Sequence, residues 1–205
     1  MRIVFATGNK GKLKEITKIL GELGLEIISM AEAGITDDIE ENGTTFAENS
    51  MIKAHSVSRM LKEKDPQDES IVLADDSGLE VDYLGGEPGI YSARYMGKDT
   101  SYDIKNAAII EKLDGVPEEE RTARFVCAIS AVFPDGREFG TLGKMEGHIA
   151  HEIAGSNGFG YDPIFFLPEY GKTSAEISED EKNAISHRGK ALREMEKVLR
   201  KEVLG

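Results

Sequence analysis

The spacing of apolar residues in the first thirty positions predicts a strand, a helix and a second strand. Residues 3–6 form the apolar run Ile-Val-Phe-Ala, which is typical of a buried strand. Beyond residue 11, apolar residues recur every three or four positions, as on one face of a helix, at Leu13, Ile16, Leu20 and Leu23. Gly24 is expected to end this helix, and the run LEIIS, residues 25–29, is expected to form the second strand.

The next fifty residues repeat this order of elements after a polar stretch. The acidic segment TDDIEENGTT has no apolar period and is expected to be an ordered loop. A helix follows, marked by apolar residues at Phe46, Met51, Ala54, Val57 and Leu61. It is predicted to end before the polar segment KEKDPQDES, and a strand at residues 71–74 is expected to place Asp75 and Asp76 at its carboxyl end. Alternating strands and helices predict an α/β sheet, in which ligands bind beyond the carboxyl ends of strands.

The second half of the chain predicts a hairpin and a terminal helix. The segments TARFVCAISAVF and EFGTLGKMEGHIAHEI flank the turn PDGR and are expected to pair as a long antiparallel hairpin, which makes the sheet mixed. Ser178 and Glu181 have the spacing of a capping box, and Leu192, Met195 and Leu199 place an apolar stripe on the final helix. No repeat, low-complexity segment or linker divides the sequence, so residues 1–205 are expected to form a single domain.

The charge balance limits the partners of such a chain. Among 205 residues, 25 Lys and Arg stand against 38 Asp and Glu, which gives a net charge of -13 at pH 7. A field of this sign repels nucleic acid and anionic membranes, so neither is expected as a partner, and an anionic ligand would need local lysines or a metal ion. The single cysteine, Cys127, excludes an internal disulfide. With no signal-peptide pattern and no apolar run of about 18 residues, we expect a cytoplasmic protein.

The segment ATGNKGK, residues 6–12, joins the first strand to the first helix and has the composition of a phosphate-binding loop. It is not a P-loop, because its glycines are too close together and leucine follows the last lysine where a metal-binding Ser or Thr belongs. If it binds phosphate, Thr7, Asn9 and backbone N–H groups would grip the oxygens, and Lys10 or Lys12 would add positive charge. On these residues alone, a tight turn without a ligand is the alternative.

Acidic residues at two places could bind a divalent cation. Asp75 and Asp76 are neighbours, and because neighbouring side chains on an extended chain point in opposite directions, their roles are expected to differ. One could hold Mg²⁺ or activate water while the other braces the loop. A turn stabilised by an aspartate side chain is the alternative. Glu40 and Glu41 offer hard oxygen ligands that could complete a Mg²⁺ site.

Further patterns in the second half of the chain carry aromatic or basic groups. The segment GSNGFGYDPIFF crowds glycines around Phe159, which favours a backbone close to a flat ligand and a ring that can stack on it; a plain glycine-rich loop is the alternative. His187 and Arg188 stand together at a predicted helix start. His148 and His151 have the i, i+3 spacing of some metal ligands, but on a strand they would face opposite ways. We interpret these two histidines as surface or structural residues.

Five segments, taken in order, resemble the inosine triphosphate pyrophosphatase family, the Ham1-like enzymes that act on non-standard purine nucleoside triphosphates. They are FATGNKGK, TTFAENSMIKA, LADDSGLEVDYLGGEPGIYSARY, GSNGFGYDPIFF and EKNAISHRGKAL, and they run from the first strand to the last helix. The resemblance implies a mixed central sheet flanked by helices, and two lobes with the active site in the cleft between them. It also implies Mg²⁺-dependent hydrolysis of XTP, ITP and dITP to the monophosphate and pyrophosphate by a homodimer.

The resemblance also implies roles for residues at the matching positions. Asp76 would be the metal ligand and proton acceptor, and Lys12 and Lys53 would be catalytic cations at the phosphates. The second metal-binding carboxylate falls at Glu40 or Glu41. The phosphate grip, the base pocket and the other substrate contacts fall at Thr7, Gly8, Asn9, Lys10, Gly11, Lys12, Ser77, Phe159, Gly160, Tyr161, Asp162, Lys172, His187 and Arg188.

Two other functions stay open at this point. A Maf-like nucleotide pyrophosphatase would share the overall architecture but prefer other bases. A non-catalytic nucleotide sensor would bind the nucleotide without hydrolysing it. The presence of Asp76 beside lysine-bearing segments disfavours the sensor, because a protein that only binds has no need of a carboxylate that activates water.

Overall fold

The computed structural model describes residues 1–205 apart from the side chains of Lys10 and Leu204. The described strands are β1 (Arg2–Phe5), β2 (Glu26–Ser29), β3 (Ile71–Val81), β4 (Thr122–Val132), β5 (Glu138–Ile149), β6 (Phe165–Leu167) and β7 (Lys172–Thr173). The α-helices are α1 (Lys10–Leu20), α2 (Phe46–Lys64), α3 (Tyr102–Lys112), α4 (Glu179–Ile185) and α5 (His187–Leu199). These bounds confirm most of the predicted elements in both type and order.

The strands form one mixed sheet in the order β2-β1-β3-β4-β5-β6-β7. β1 is parallel to both β2 and β3, whereas β6 is antiparallel to β5 and to β7. The turn between β4 and β5 is closed by a hydrogen bond of 2.9 Å from the Phe133 N–H to the Arg137 carbonyl. The predicted α/β class, mixed sheet and central hairpin are therefore confirmed.

The chain divides into two compact units. Unit 1 comprises residues 1–76, 127–143 and 188–205, and unit 2 comprises residues 77–126 and 144–187. Three of the four boundaries between the units fall inside β3, β4 and β5, and the fourth follows the first residue of α5.

Unit 1 has helices on both faces of its strands because the buried side chains alternate along each strand. Ile3 and Phe5 of β1 pack in one apolar cluster, with residues of α1 and α5 such as Leu20 and Leu192. Val4 lies in a second cluster, with residues of α2 that include Ala54, Val57 and Leu61. Strands covered on both faces read as continuous apolar runs, which is why β1 could be recognised from its sequence.

Unit 2 is built around one apolar cluster. Leu79 and Val81 of β3 pack there with Ile109 and Leu113 of α3, and with residues of β4, β5 and β6. Tyr161, from the predicted ligand loop, is part of the same cluster. The loop is therefore attached to the core of unit 2 through one of its own aromatic rings.

The predicted end of β3 at Ala74 is wrong. The strand continues to Val81, so Asp75 and Asp76 lie inside it and not at its carboxyl end. Buried residues continue beyond the acidic pair, at Leu79 and Val81, and they keep the chain extended. Two adjacent aspartates before a glycine are typical of a turn, and this local signal is overridden by packing.

The C-terminal segment contains two helices. The predicted capping box opens α4, where Ser178 and Glu181 bond reciprocally. Extended backbone at Ser186 then separates α4 from α5. The predicted apolar stripe lies on α5 and is fully buried, at Leu192, Met195 and Leu199.

The two histidines of β5 and the segment after it do not face opposite ways. The Nδ1 of His148 lies 3.1 Å from one carboxylate oxygen of Glu118, and the Nε2 of His151 lies 3.0 Å from the other. The strand ends at Ile149, so the alternation of a strand does not extend to residue 151. Both histidines therefore contact Glu118, as suits a surface or structural role, although the sequence did not predict this shared contact.

No helix in the described part of the chain is long and apolar enough to cross a membrane.

Candidate active site

The predicted phosphate loop forms a capped helix N-terminus. The side-chain oxygen of Asn9 accepts hydrogen bonds from the N–H groups of Gly11 at 2.8 Å and Lys12 at 3.2 Å. The Thr7 hydroxyl accepts from the N–H of Asn9 at 3.0 Å. The first turn of α1 contains no acidic residue, so the turn itself supplies no carboxylate to the positive end of the helix dipole, which favours an anion. The side chain of Lys10 lies outside the described part of the structure.

Asp75 is a buried carboxylate surrounded by cations from three helices. Its Oδ2 lies 2.8 Å from the Lys12 Nζ and 3.4 Å from the Arg188 Nε, and its backbone carbonyl accepts from the Lys53 Nζ at 3.0 Å. Burial alone would raise the pKa of Asp75, but Lys12, Arg188 and Lys53 together lower it well below its ordinary value. Asp75 is therefore ionised at neutral pH and holds the cations in place, which is the bracing role predicted for one member of the pair.

Arg188 is part of this internal network. Its side chain is buried at the start of α5, and its Nη1 lies 2.8 Å from a carboxylate oxygen of Glu15 on α1. With its Nε on Asp75, the guanidinium connects α5 to α1 and β3. The sequence-based role of Arg188 as a substrate contact stays a prediction.

Asp76 and Glu41 form a second carboxylate pair. The Oδ2 of Asp76 accepts a hydrogen bond of 3.1 Å from the Asn49 Nδ2, and Glu41 lies 2.8 Å from the Lys53 Nζ. Burial and the nearby charge of Glu41 raise the pKa of Asp76 to about 6, against a smaller lowering by Lys53. Glu40, by contrast, is exposed. Of the two glutamates left open by the sequence, Glu41 is the one whose charge acts on Asp76.

These carboxylates fit a hard divalent cation. Asp76 and Glu41 provide oxygen donors, and the repulsion that raises the pKa of Asp76 is the kind that a cation relieves. Among the described residues, no group of three or more His, Cys, Asp or Glu side chains could hold a metal ion by itself. An ion at this pair would therefore need further ligands from water or a substrate, as is usual for Mg²⁺.

In unit 2, the loop of the FGYD segment is folded around the buried carboxylate of Asp162. One oxygen accepts from the Phe159 N–H at 2.8 Å and from the Lys182 Nζ at 2.5 Å, and the other accepts from the Ser174 hydroxyl at 2.8 Å. At Gly158 the backbone has φ +75°, and an added Cβ would come within 2.3 Å of this carboxylate, so only glycine fits.

The two aromatic residues of this loop have different environments. The Phe159 ring is 46% exposed, and the Lys182 Nζ lies 5.0 Å from its centroid. Tyr161 is buried, and its hydroxyl donates to the Ser92 carbonyl at 2.7 Å. The Gly160 carbonyl accepts from the Asn106 Nδ2 at 3.1 Å. Phe159 thus exposes part of its ring to solvent, whereas Tyr161 supports the loop.

The other predicted contacts in unit 2 lie on different elements. His187 is buried and its ring stacks on Phe125, with centroids 5.0 Å apart. Ser77 follows Asp76 on β3 and is partly buried, and Lys172 is exposed on β7. The lysine at the loop is Lys182, which the sequence reasoning missed. A signal was present, since Lys182 lies inside the segment EKNAISHRGKAL and Lys172 lies outside all five quoted segments.

Comparison with known proteins identifies the family. The sequence profile of the Ham1 family matches residues 3–198. The chain belongs to the Ham1 family. This membership confirms the resemblance drawn from the five ordered segments.

Relatives and solved structures of the Ham1 family extend over the whole chain. Proteins named dITP/XTP pyrophosphatase from Clostridium perfringens and Bacillus subtilis are 49% and 46% identical to it, over 97% and 96% of both chains. The solved structure of the Staphylococcus aureus Ham1 protein is 39% identical, with a TM-score of 0.87, and the match covers 98% of this chain and 100% of that chain. The Ham1 protein of Coxiella burnetii matches with a TM-score of 0.86, over 98% and 99%. The predicted fold class is confirmed by these structures.

Proposed function

We propose that this protein is a nucleoside triphosphate pyrophosphatase that converts dITP, ITP and XTP to the monophosphate and pyrophosphate, with Mg²⁺ as its cofactor. The relatives named dITP/XTP pyrophosphatase support the substrate class. The observation that carries the chemistry is the pair Asp76 and Glu41, set beside Lys12 and Lys53 in the same unit as the N-terminus of α1. The lysines and the helix N-terminus can bind a polyanion, and the two carboxylates can bind a cation and accept a proton from water.

In the proposed mechanism, the chain's own residues bind the phosphates and accept a proton. The positive end of the α1 helix dipole, together with Lys12 and Lys53, binds and orients the triphosphate. Mg²⁺, held by Asp76 and Glu41, would supply positive charge that offsets the charge developing on the phosphate oxygens. The pKa of Asp76 is about 6 in the metal-free protein and would be lower with a cation bound, so the carboxylate is ionised at neutral pH and able to accept a proton. It takes a proton from the attacking water as the α–β phosphoanhydride bond breaks and pyrophosphate leaves.

The proposed choice of base depends on the Phe159 loop of unit 2. The exposed ring of Phe159 can stack on a purine, and the Lys182 ammonium beside it can donate to a 6-keto oxygen. Inosine and xanthine have this oxygen and adenine does not. A site built around a substrate hydrogen bond can reject an analogue that lacks it by about 10⁴-fold. Guanine also has the 6-keto group, so its 2-amino group must be excluded by shape or left without an acceptor.

Pyrophosphate, not orthophosphate, is expected as the first product from ITP, XTP and dITP, and only with a divalent cation present. Ion chromatography or a coupled pyrophosphate assay measures it, with EDTA as the control. Turnover that persists in EDTA, or initial release of orthophosphate, would contradict the proposal. Faster turnover of dTTP or dUTP would favour the Maf-like alternative, and binding without product would favour the sensor.

A comparison of two lysines tests the base-binding part of the proposal. Lys182→Gln is expected to raise KM for ITP about tenfold, since it removes a charged donor near the ring and also the cation that pairs with Asp162 in the loop. Lys172→Gln removes the same charge from an exposed position on β7, and a smaller effect is expected. Steady-state kinetics on ITP measure both variants. A larger effect at Lys172 would support the assignment of Lys172 as a substrate contact, which was made from the sequence.

Three further features belong to the proposal; the first comes from the family resemblance, and the other two come from the sequence patterns. They are a homodimeric state, a cytoplasmic location and action of residues 1–205 as a single domain. Analytical ultracentrifugation measures the first of them directly. A sedimentation coefficient of a monomer at micromolar concentration would contradict the dimer.

A further inference from the structure

Asn49 is a fully buried amide on α2 that bonds to two other segments of unit 1. Its Oδ1 accepts a hydrogen bond of 2.8 Å from the Gly43 N–H, in the loop that carries Glu41. Its Nδ2 donates to the Asp76 Oδ2 at 3.1 Å, on β3. A backbone N–H can only donate and an ionised carboxylate can only accept, so both partners require the same orientation of the amide.

The loop whose Gly43 N–H donates to Asn49 is closely packed against the first turn of α2. A Cβ added to Gly43 would lie 2.7 Å from the Glu48 Cβ and 2.8 Å from the Asn49 Oδ1. The N–H and hydroxyl of Thr44 both donate to one Glu48 oxygen, at 2.6 Å and 2.8 Å. These contacts fix the chain two residues after Glu41, so the position of Glu41 depends on how the loop docks on α2.

We propose that Asn49 is a positioning residue that sets the Glu41 loop and the Asp76 carboxylate in a fixed relation, so that the two acids can share one divalent cation. The inference rests on the proposed function, in which Asp76 and Glu41 hold the ion. Hydrogen bonds to ligating carboxylates fix their rotation, and losing such a partner commonly lowers metal affinity or activity by about 10 to 100-fold. Asparagine suits the position because one side chain both accepts from the loop and donates to Asp76.

Two substitutions separate the two halves of this role. Asn49→Leu keeps a similar volume and removes both bonds. Asn49→Asp keeps an acceptor for the Gly43 N–H but removes the donor to Asp76. Ser50→Ala is the matched control, because it removes another buried bond of α2, the 2.7 Å contact between the Ser50 and Ser130 hydroxyls, without touching Asp76 or the loop.

The measurements are Mn²⁺ titration of the nucleotide-free protein by EPR, hydrogen exchange of the Gly43 amide, and turnover of ITP. For Asn49→Leu we expect the Mn²⁺ dissociation constant to rise about tenfold or more and the Gly43 amide to exchange about tenfold faster. For Asn49→Asp we expect Gly43 to stay protected while kcat falls about tenfold. Ser50→Ala should lower Tm and leave the Mn²⁺ affinity unchanged.

The inference is overturned if Asn49→Leu binds Mn²⁺ within about twofold of wild type and loses activity only in proportion to its unfolded fraction. Equal losses of Mn²⁺ affinity in Asn49→Leu and Ser50→Ala would also overturn it, since a general loss of stability would then explain both. A wild-type protein that releases no pyrophosphate would refute the proposed function instead. The Mn²⁺ and exchange measurements do not require turnover, so the two failures are distinguishable.

Discussion

Asp76→Asn is expected to abolish pyrophosphate release and also to make the metal-free protein more stable. The asparagine keeps the shape of the side chain and can still accept from Asn49, but it cannot take a proton from water and is a poor ligand for a cation. Loss of a general base commonly lowers kcat by about 10² to 10⁴-fold. A variant that kept more than about a tenth of wild-type kcat, a change in barrier under roughly 1.4 kcal/mol, would require another role for Asp76.

The gain in stability follows from the raised pKa of Asp76. The unfolded side chain ionises near 3.8, whereas the folded one ionises near 6, because burial and Glu41 oppose its charge. The ionised Asp76 therefore destabilises the fold only above about pH 4. The destabilisation grows as the pH rises from the unfolded pKa to the folded pKa near 6, and it is complete above that value. A shift of this size corresponds to about 3 kcal/mol.

Thermal melts of the metal-free protein at pH 4 and pH 7.5 measure the effect. The Tm difference between Asp76→Asn and wild type should be several degrees at the higher pH and should nearly vanish at the lower. Asp37→Asn is the control, because it makes the same change in net charge at an exposed position of unit 1. An equal gain in Tm for Asp37→Asn would mean that reduced overall repulsion is the cause.

Asp75→Asn is expected to lower the free energy of unfolding by about 3 to 5 kcal/mol, because it leaves Lys12 and Arg188 without their shared buried partner. The pKa of Asp75 is lowered in the fold, so its contribution is fully present above its unfolded pKa, near 3.8. It is lost gradually as the pH falls from that value through the much lower pKa of the folded state. The difference from wild type should therefore be largest at neutral pH and become smaller in acid.

Urea denaturation at pH 7 and pH 2 measures this difference. Asp68→Asn serves as the comparison, because it removes the partner of Arg2 in a pair that is 3.0 Å long but much more exposed. Its effect is expected to be far smaller. If the two variants were equally destabilised at pH 7, the buried network around Asp75 would carry no special weight in stability.

Local sequence patterns were sufficient to predict most helices and strands. They were insufficient where contacts between residues far apart in the sequence are involved. The apolar runs of β1 and β4 and the helical spacing of α2 need only nearest neighbours to be recognised. The partners of the buried Asp75 are Lys12, Lys53 and Arg188, which come from three different helices. Contacts from three distant helices leave no periodic pattern in the sequence. The strand was therefore predicted to end before the acidic pair, with a turn as the alternative.

Site residues were predictable to the extent that their chemistry stood out from the sequence. The lysines and aspartates did so, and so did Phe159. Asn49 was missed because a single polar residue on a helix usually faces solvent, and its contact with Gly43 exists only once the preceding loop has folded back. The choice between Glu40 and Glu41 also depended on that loop, since neighbours in sequence carry the same chemical signal.

Because Cys127 is buried, the rate at which its thiol is labelled reports how often unit 1 opens. The thiol lies in the core of unit 1, where burial above all, with a further contribution from Asp75, raises its pKa to about 12. At neutral pH it is neither ionised nor accessible, so a thiol reagent can modify the native chain only after unit 1 has opened. Because the sequence contains no second cysteine, one added mass per chain counts these opening events directly. A ligand that binds unit 1 should slow the labelling without any need to follow catalysis.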